Sequence, residues 1–310
     1  MRLQEIDFTK GILIILMVMF HLTYSGTFMP EVIDPFVYSF HVSSFMVLSG
    51  FLFKPDKSWG GFWKSYRYLL CLYLLFDLID YVLVATLGTR FGSSSNTSLG
   101  VLDVLTVIFI SPAGTYWYIH SLLWMYLLYW LIYRLKISDS AKIILLFVAI
   151  WAIDINDKLP WNVYFAVGAA LKLFNKEGGV KCFNASWLSI VPLALIAIFA
   201  TSRSTLLLTG LATVLCFISF AMWCSNKLSV VSDILSYIGK NTLSILLFSP
   251  FLTLPMKFLR PVFAFDESEV LYGIICSLIV VALSLLFAFV WDRIGLNKLM
   301  GRNLYIKYKE

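Results

Sequence analysis

Lys10 and His21 stand eleven residues apart in the first apolar stretch of the chain, DFTKGILIILMVMFHLTYSG at positions 7–26. In an α-helix eleven residues turn to within about 20° of three full turns and rise about 16 Å, so the two side chains share one stripe. Asp7, three residues before Lys10, falls on much the same face. The stripe is polar at its ends and apolar in its middle. A second histidine, His41, lies in YSFHVSSFMVLSGFLF at 38–53, at nearly the depth of His21 when the second stretch enters from the opposite side. A neutral imidazole is well suited to accept and return a proton near pH 7. An ionisable group within an apolar span is a functional candidate, because a partner or a cavity must offset its burial. The structural readings are a snorkelling lysine at the cytoplasmic boundary and polar contacts between neighbouring helices. Ser43, Ser44, Ser49 and Gly50 suit close helix approach better than nucleophilic catalysis, since no base pairs with them in sequence.

Other polar residues stand at the ends of, or within, apolar runs. Lys64 and Arg67 precede the third run and double as ordinary cytoplasmic charges. Asp77 and Asp80 lie three residues apart inside it, on one face, where they could bind acceptor hydroxyls or pair with cations. Trp117, Tyr118 and His120 open a later run, which suits either an aromatic belt at the membrane surface or a platform for a sugar ring.

The elements that must position these residues are membrane helices. Of 310 residues 60% are hydrophobic and 14% charged, against about a quarter charged in a soluble domain. The net charge of +6 is spread in short basic clusters between apolar runs, a cytoplasmic-loop pattern that argues against a nucleic-acid partner. Five cysteines without CxxC spacing indicate neither a disulfide framework nor a zinc site, and no metal is expected. The first run lacks a small-x-small cleavage site and reads as an uncleaved span.

Apolar runs at 6–24, 36–53, 68–87, 116–133, 143–155, 160–174, 187–200, 205–223, 241–257 and 270–291 predict an all-α integral membrane protein. The expected architecture is a single domain over 1–310, a bundle of about ten transmembrane helices. A further piece at 99–112, with Asp103 and a closing Ser111-Pro112, reads as a re-entrant or interfacial segment. Nineteen Lys and Arg fall on one side of this arrangement and five on the other, which puts both termini in the cytoplasm. Loops at 31–34, 90–98 and 265–269 then face outward.

RLQEIDFTKGI with His21 eleven residues after Lys10, and FHVSSFMVLSGFLF at 40–53, resemble the first two spans of the membrane-bound acyltransferase-3 family, the polysaccharide and glycolipid O-acetylase group. KSYR at 64–67, TYWYIHSLLWMYLLYWL, YFAVGAALK and YIGKNTLSILLFSP at 237–250 are similar to its later motifs. Ser43 stands where the family usually has proline, and Ser249 where a histidine is common, so a role for that late histidine is absent here. The resemblance implies transfer of an acyl group, usually acetyl from acetyl-CoA, to a hydroxyl of a saccharide or glycolipid at the cell membrane.

On that reading Lys10, Lys64 and Arg67 pair with the phosphates of the donor. His21 acts as general base, with an acetyl-histidine intermediate as the less favoured variant. His41 orients His21, binds the acceptor or polarises the carbonyl. Membrane lipid, the saccharide acceptor and envelope polysaccharide assembly proteins are the expected partners. The rival class is a transporter or flippase for a small solute or lipid-linked sugar, which predicts inverted repeats with interrupted helices at the bilayer midplane.

Overall fold

Runs of Leu, Ile, Phe and Ala become helices because a segment in hydrocarbon must satisfy its own backbone hydrogen bonds. The computed structural model describes residues 4–22, 33–87, 100–153, 159–175, 179–199 and 206–299, and among these no strand occurs. The α-helices run α1 Gln4–Leu22, α2 Ile33–Leu52, α3 Trp59–Leu87, α4 Val101–Phe109, α5 Trp117–Tyr133, α6 Asp139–Ile153 and α7 Leu159–Phe174. They continue with α8 Ile190–Phe199, α9 Leu206–Lys227, α10 Ser229–Lys240, α11 Thr242–Met256, α12 Val270–Ile294 and α13 Leu296–Leu299.

Among the described residues, four helical stretches are long and apolar enough to cross a membrane: Trp59–Thr86, Thr209–Lys227, Thr242–Phe263 and Val270–Ile294. Phe36–Leu52 and Trp187–Ile198 are apolar but shorter. Helix α1 has 19 residues but carries Glu5, Asp7 and Lys10 in its first two turns. Helix α3 starts nine residues before the expected span, because the segment carrying Lys64 and Arg67 continues the same helix. Two short elements stand apart from these. Residues 101–109 form a nine-residue helix with no buried residue, too short at about 14 Å to cross the roughly 30 Å hydrocarbon core. Residues 229–240, outside every expected span, form an amphipathic helix. The expected loop at 90–98 lies outside the described residues.

Helix α1 is the centre of the bundle, packed against α2, α9, α10, α11 and α12, while α2 packs on α7 and α9 as well. Two crossings bring backbones into direct contact. A Cβ on Gly239 of α10 would sit 1.7 Å from the Asp7 carbonyl oxygen, and one on Gly11 of α1 would sit 2.1 Å from that of Leu235. At the α2–α7 crossing a Cβ on Gly50 would sit 2.1 Å from the Phe165 carbonyl oxygen, and one on Gly168 would sit 1.9 Å from that of Val47. Small residues at such crossings give the close van der Waals packing that holds helices together where lipid is as apolar as the side chains. Helix α11 begins at Thr242, three residues after Gly239, and packs on α1.

Candidate active site

The glycine crossing fixes α1 from its first turns, and the far end of that helix presents His21. There the His21 Nδ1–H donates to the Met17 carbonyl at 2.6 Å. One helix away His41 does the same, its Nδ1–H donating to the Val37 carbonyl at 2.8 Å. A carbonyl can only accept, so each ring carries its proton on Nδ1 and keeps the Nε2 lone pair outward. The two histidines therefore have one tautomer, set by the same local contact four residues back.

His41 is fully buried. Phe20, the residue before His21, stacks on its ring at 6.4 Å, and Tyr38 meets it edge-on at 5.0 Å. The His21 and His41 imidazoles are close enough to interact electrostatically. His41 Nε2 is buried with no hydrogen-bond partner, a costly state for a polar atom. Ser44 Oγ, one turn along α2, is also buried and unpartnered. The third histidine differs. His120 bonds the Phe109 carbonyl through one ring nitrogen and accepts from Trp124 Nε1 at 3.2 Å through Nε2. With both nitrogens engaged, it ties α4 to α5.

Lys10 pairs with the buried Asp7 carboxylate at 3.2 Å and is 18% exposed, so part of its charge is already offset. Lys64 and Arg67 are exposed on the first turns of α3, a helix that packs chiefly on α4, α5 and α11 rather than on α1. The structure thus joins His21 to His41 and leaves the three basic residues on two separate helices.

Trp117 packs on Trp161 of α7 at 5.6 Å between ring centroids. The Tyr118 hydroxyl bonds Ser49 Oγ of α2 at 3.1 Å, eight residues or about 12 Å along the helix from His41. Asp77 and Asp80 engage the turn between α4 and α5. Asp77 Oδ1 accepts the Ala113 N–H at 2.8 Å, and the Tyr73 hydroxyl donates to the Ile108 carbonyl at 2.8 Å. Sequence reasoning took only Gly50 as a close-approach glycine. Gly11, Gly168 and Gly239 sit inside the very motifs KGI, VGAAL and IGKN, and their recurrence there was the available signal.

The acyltransferase-3 family model, described as an acyltransferase domain, matches residues 3–289. The chain belongs to the acyltransferase-3 family. No curated protein and no solved structure matches it. The family match spans both histidines, the two glycine crossings and the basic start of α3. With its apolar helices, this makes the chain a membrane protein with an acyltransferase domain. Ser249, where the family commonly has histidine, is buried in α11 just before Pro250.

Proposed function

We propose that this acyltransferase-3 protein moves an acyl group, acetyl from acetyl-CoA, onto a hydroxyl of a cell-surface or lipid-linked saccharide. The observation that supports the reading is the imidazole pair: two neighbouring histidines with Nδ1 anchored to a backbone carbonyl, leaving Nε2 without a backbone partner among the described residues. An anchored Nδ1–H keeps a ring in the tautomer that can take a proton at Nε2. His21 Nε2 removes the proton of the acceptor hydroxyl as its oxygen attacks the thioester carbonyl carbon. The C–O bond forms, the C–S bond breaks, and the proton passes from His21 to the departing thiolate, giving CoA and an ester.

His41 Nε2, an acceptor in this tautomer, takes a hydrogen bond from a second hydroxyl of the acceptor and so positions the attacking hydroxyl beside His21. Lys64 and Arg67, exposed and unpaired among the described residues, suit the phosphates of the donor, with Lys10 further along the path. Trp117 and Tyr118 flank the acceptor side. The proposed topology is ten spans in the plasma or inner membrane with both termini cytoplasmic, so that donor and acceptor enter from opposite faces. Family membership favours this reading over a transporter.

The test compares ester-linked acetyl on surface glycans of the native host in a deletion strain complemented with wild type or with His21→Ala at matched expression. Wild type alone restoring the esters supports the proposal. Equal restoration by both removes His21 from the chemistry.

A further inference from the structure

Helix α10 is inside out for a helix bordered by water. Ser232, Ser236 and Gly239 follow one another at the i, i+4, i+7 spacing of a single helical stripe, and all three are buried. Ser232 Oγ accepts from Gln4 Nε2 at 3.3 Å and lies 3.1 Å from Ser225 Oγ. Ser236 Oγ donates to the Gln4 carbonyl at 3.4 Å, and Gly239 meets the Asp7 carbonyl. The polar stripe is thus turned inward, onto α1 and the end of α9.

Val230, Ile234 and Tyr237 repeat that spacing two residues earlier, about 200° round the helix from the serines. Val230 is 74% and Ile234 59% exposed, and Tyr237 is half-buried. Val231, beside them, is exposed as well. A helix on a soluble protein turns its apolar stripe to the core and its polar one to water. Here the order is reversed, and an exposed apolar stripe of this kind marks a membrane or protein contact.

Two observations favour lipid. Helix α10 joins two stretches long and apolar enough to cross a membrane, Thr209–Lys227 before it and Thr242–Phe263 after it, so it lies where both reach the membrane boundary. Lys227 and Lys240 bracket it, with Asp233 the one acid between them. Lysines so placed reach lipid phosphates while their stems stay in apolar surroundings. Ser229 and Asp233, on the other shoulder, line with Val230 a cleft shared by Gln4, Glu5 and Asn226, which gives the helix a polar side for water and headgroups.

We propose that α10 is an interfacial helix whose Val230, Ile234 and Tyr237 stripe is set into the boundary between the acyl chains and headgroups of a phospholipid leaflet. Its twelve residues span about 18 Å, too short to cross the bilayer and long enough to lie along its surface. Because α10 carries the glycine crossing on α1, the leaflet holds the helix that fixes the first turns of α1. The proposal is independent of the acyl-transfer reading.

The experiment places the photoreactive residue p-benzoylphenylalanine at position 234 or, as control, at 229. The purified full chain is irradiated in vesicles of phosphatidylethanolamine and phosphatidylglycerol, and adducts are read by intact mass. The expected result is a covalent phospholipid adduct at 234, at least fivefold more abundant than at 229. In the same vesicles Ile234→Glu lowers Tm, since a carboxylate must then enter the lipid boundary, while Ser229→Glu leaves it level. Equal lipid adducts at 229 and 234, or none at either, overturn the proposal. So do chain-to-chain adducts at 234, which give the stripe to a second copy, and an Ile234→Glu protein with wild-type Tm.

Discussion

Replacing Gly239 with alanine should loosen α1 at its anchored end. The added Cβ would sit 1.7 Å from the Asp7 carbonyl oxygen and 2.9 Å from the Gly11 nitrogen. An ordinary carbon–oxygen contact is about 3.3 Å, so the helices must part by about 1.6 Å at the crossing. A gap of 0.5–1 Å already forfeits roughly a quarter to a half of a dispersion contact, and neither backbone can yield by rotating a side chain. The cost falls at or above the upper end of the range for overpacking, about 3 kcal/mol. At roughly 2–4 °C per kcal/mol that is a Tm loss of about 6–12 °C. The control is Gly60→Ala on the first turn of α3, where a Cβ meets nothing within 4 Å. Removing a glycine from such a site stabilises by about 0.4–1 kcal/mol. The assay is thermal unfolding of the purified variants in one detergent, with acyl transfer measured in parallel. Because α1 holds both Lys10 and His21, a displacement beyond 1 Å should also cut turnover by about 10²-fold. A Gly239→Ala protein with wild-type Tm, or a Gly60→Ala protein that loses as much, would mean that the Gly239–Asp7 crossing does not hold α1 in place.

Other outcomes follow from single contacts. His41→Phe removes a buried nitrogen that has no partner, so Tm should stay level or rise while transfer is lost, as read by unfolding and by acetyl ester formation. Lys64→Ala with Arg67→Ala should raise KM for acetyl-CoA several-fold with kcat little changed, and the effect should shrink at high salt because both side chains are exposed. Lys10→Ala should differ by destabilising the fold, on the order of 1–3 kcal/mol, because it removes one ion-pair partner of the buried Asp7; denaturant unfolding separates the two cases. In the 264–269 link, the Ser268 hydroxyl, and after it the Leu271 amide, hold Asp266 below its ordinary pKa of 3.8. The stability it contributes is therefore complete above that value and disappears as pH falls through the lower folded value. Asp266→Asn should flatten the acid limb of a Tm–pH curve below about pH 4 without moving the neutral plateau.

Helical class and most helix positions were legible because hydrocarbon solvation forces apolar runs into helices. Helix α10 was hidden by its polar face: with Ser229, Ser232, Asp233, Ser236 and Lys240 it shows no spanning run, although it packs closely on α1. The α3 start was misplaced because Lys64 and Arg67 mark a membrane boundary in composition, whereas the helix obeys only backbone geometry and continues through them. At the candidate site, the Lys10–His21 spacing and the shared depth of His21 and His41 were readable from helical period. The tautomer shared by the two histidines was not, since it depends on each ring folding back to a carbonyl four residues earlier. Nor could sequence show that Asp77 accepts the Ala113 N–H, because that contact joins residues 36 apart in the chain.

We propose that the imidazole pair performs acyl transfer. Its most direct test is release of CoA from acetyl-CoA by the purified protein in the presence of host membrane glycan, comparing wild type with His21→Ala at equal folded fraction and equal acetyl-CoA affinity. Loss of a general base lowers kcat by about 10²–10⁴-fold, and that is the result expected. Turnover by His21→Ala within about threefold of wild type would contradict the account.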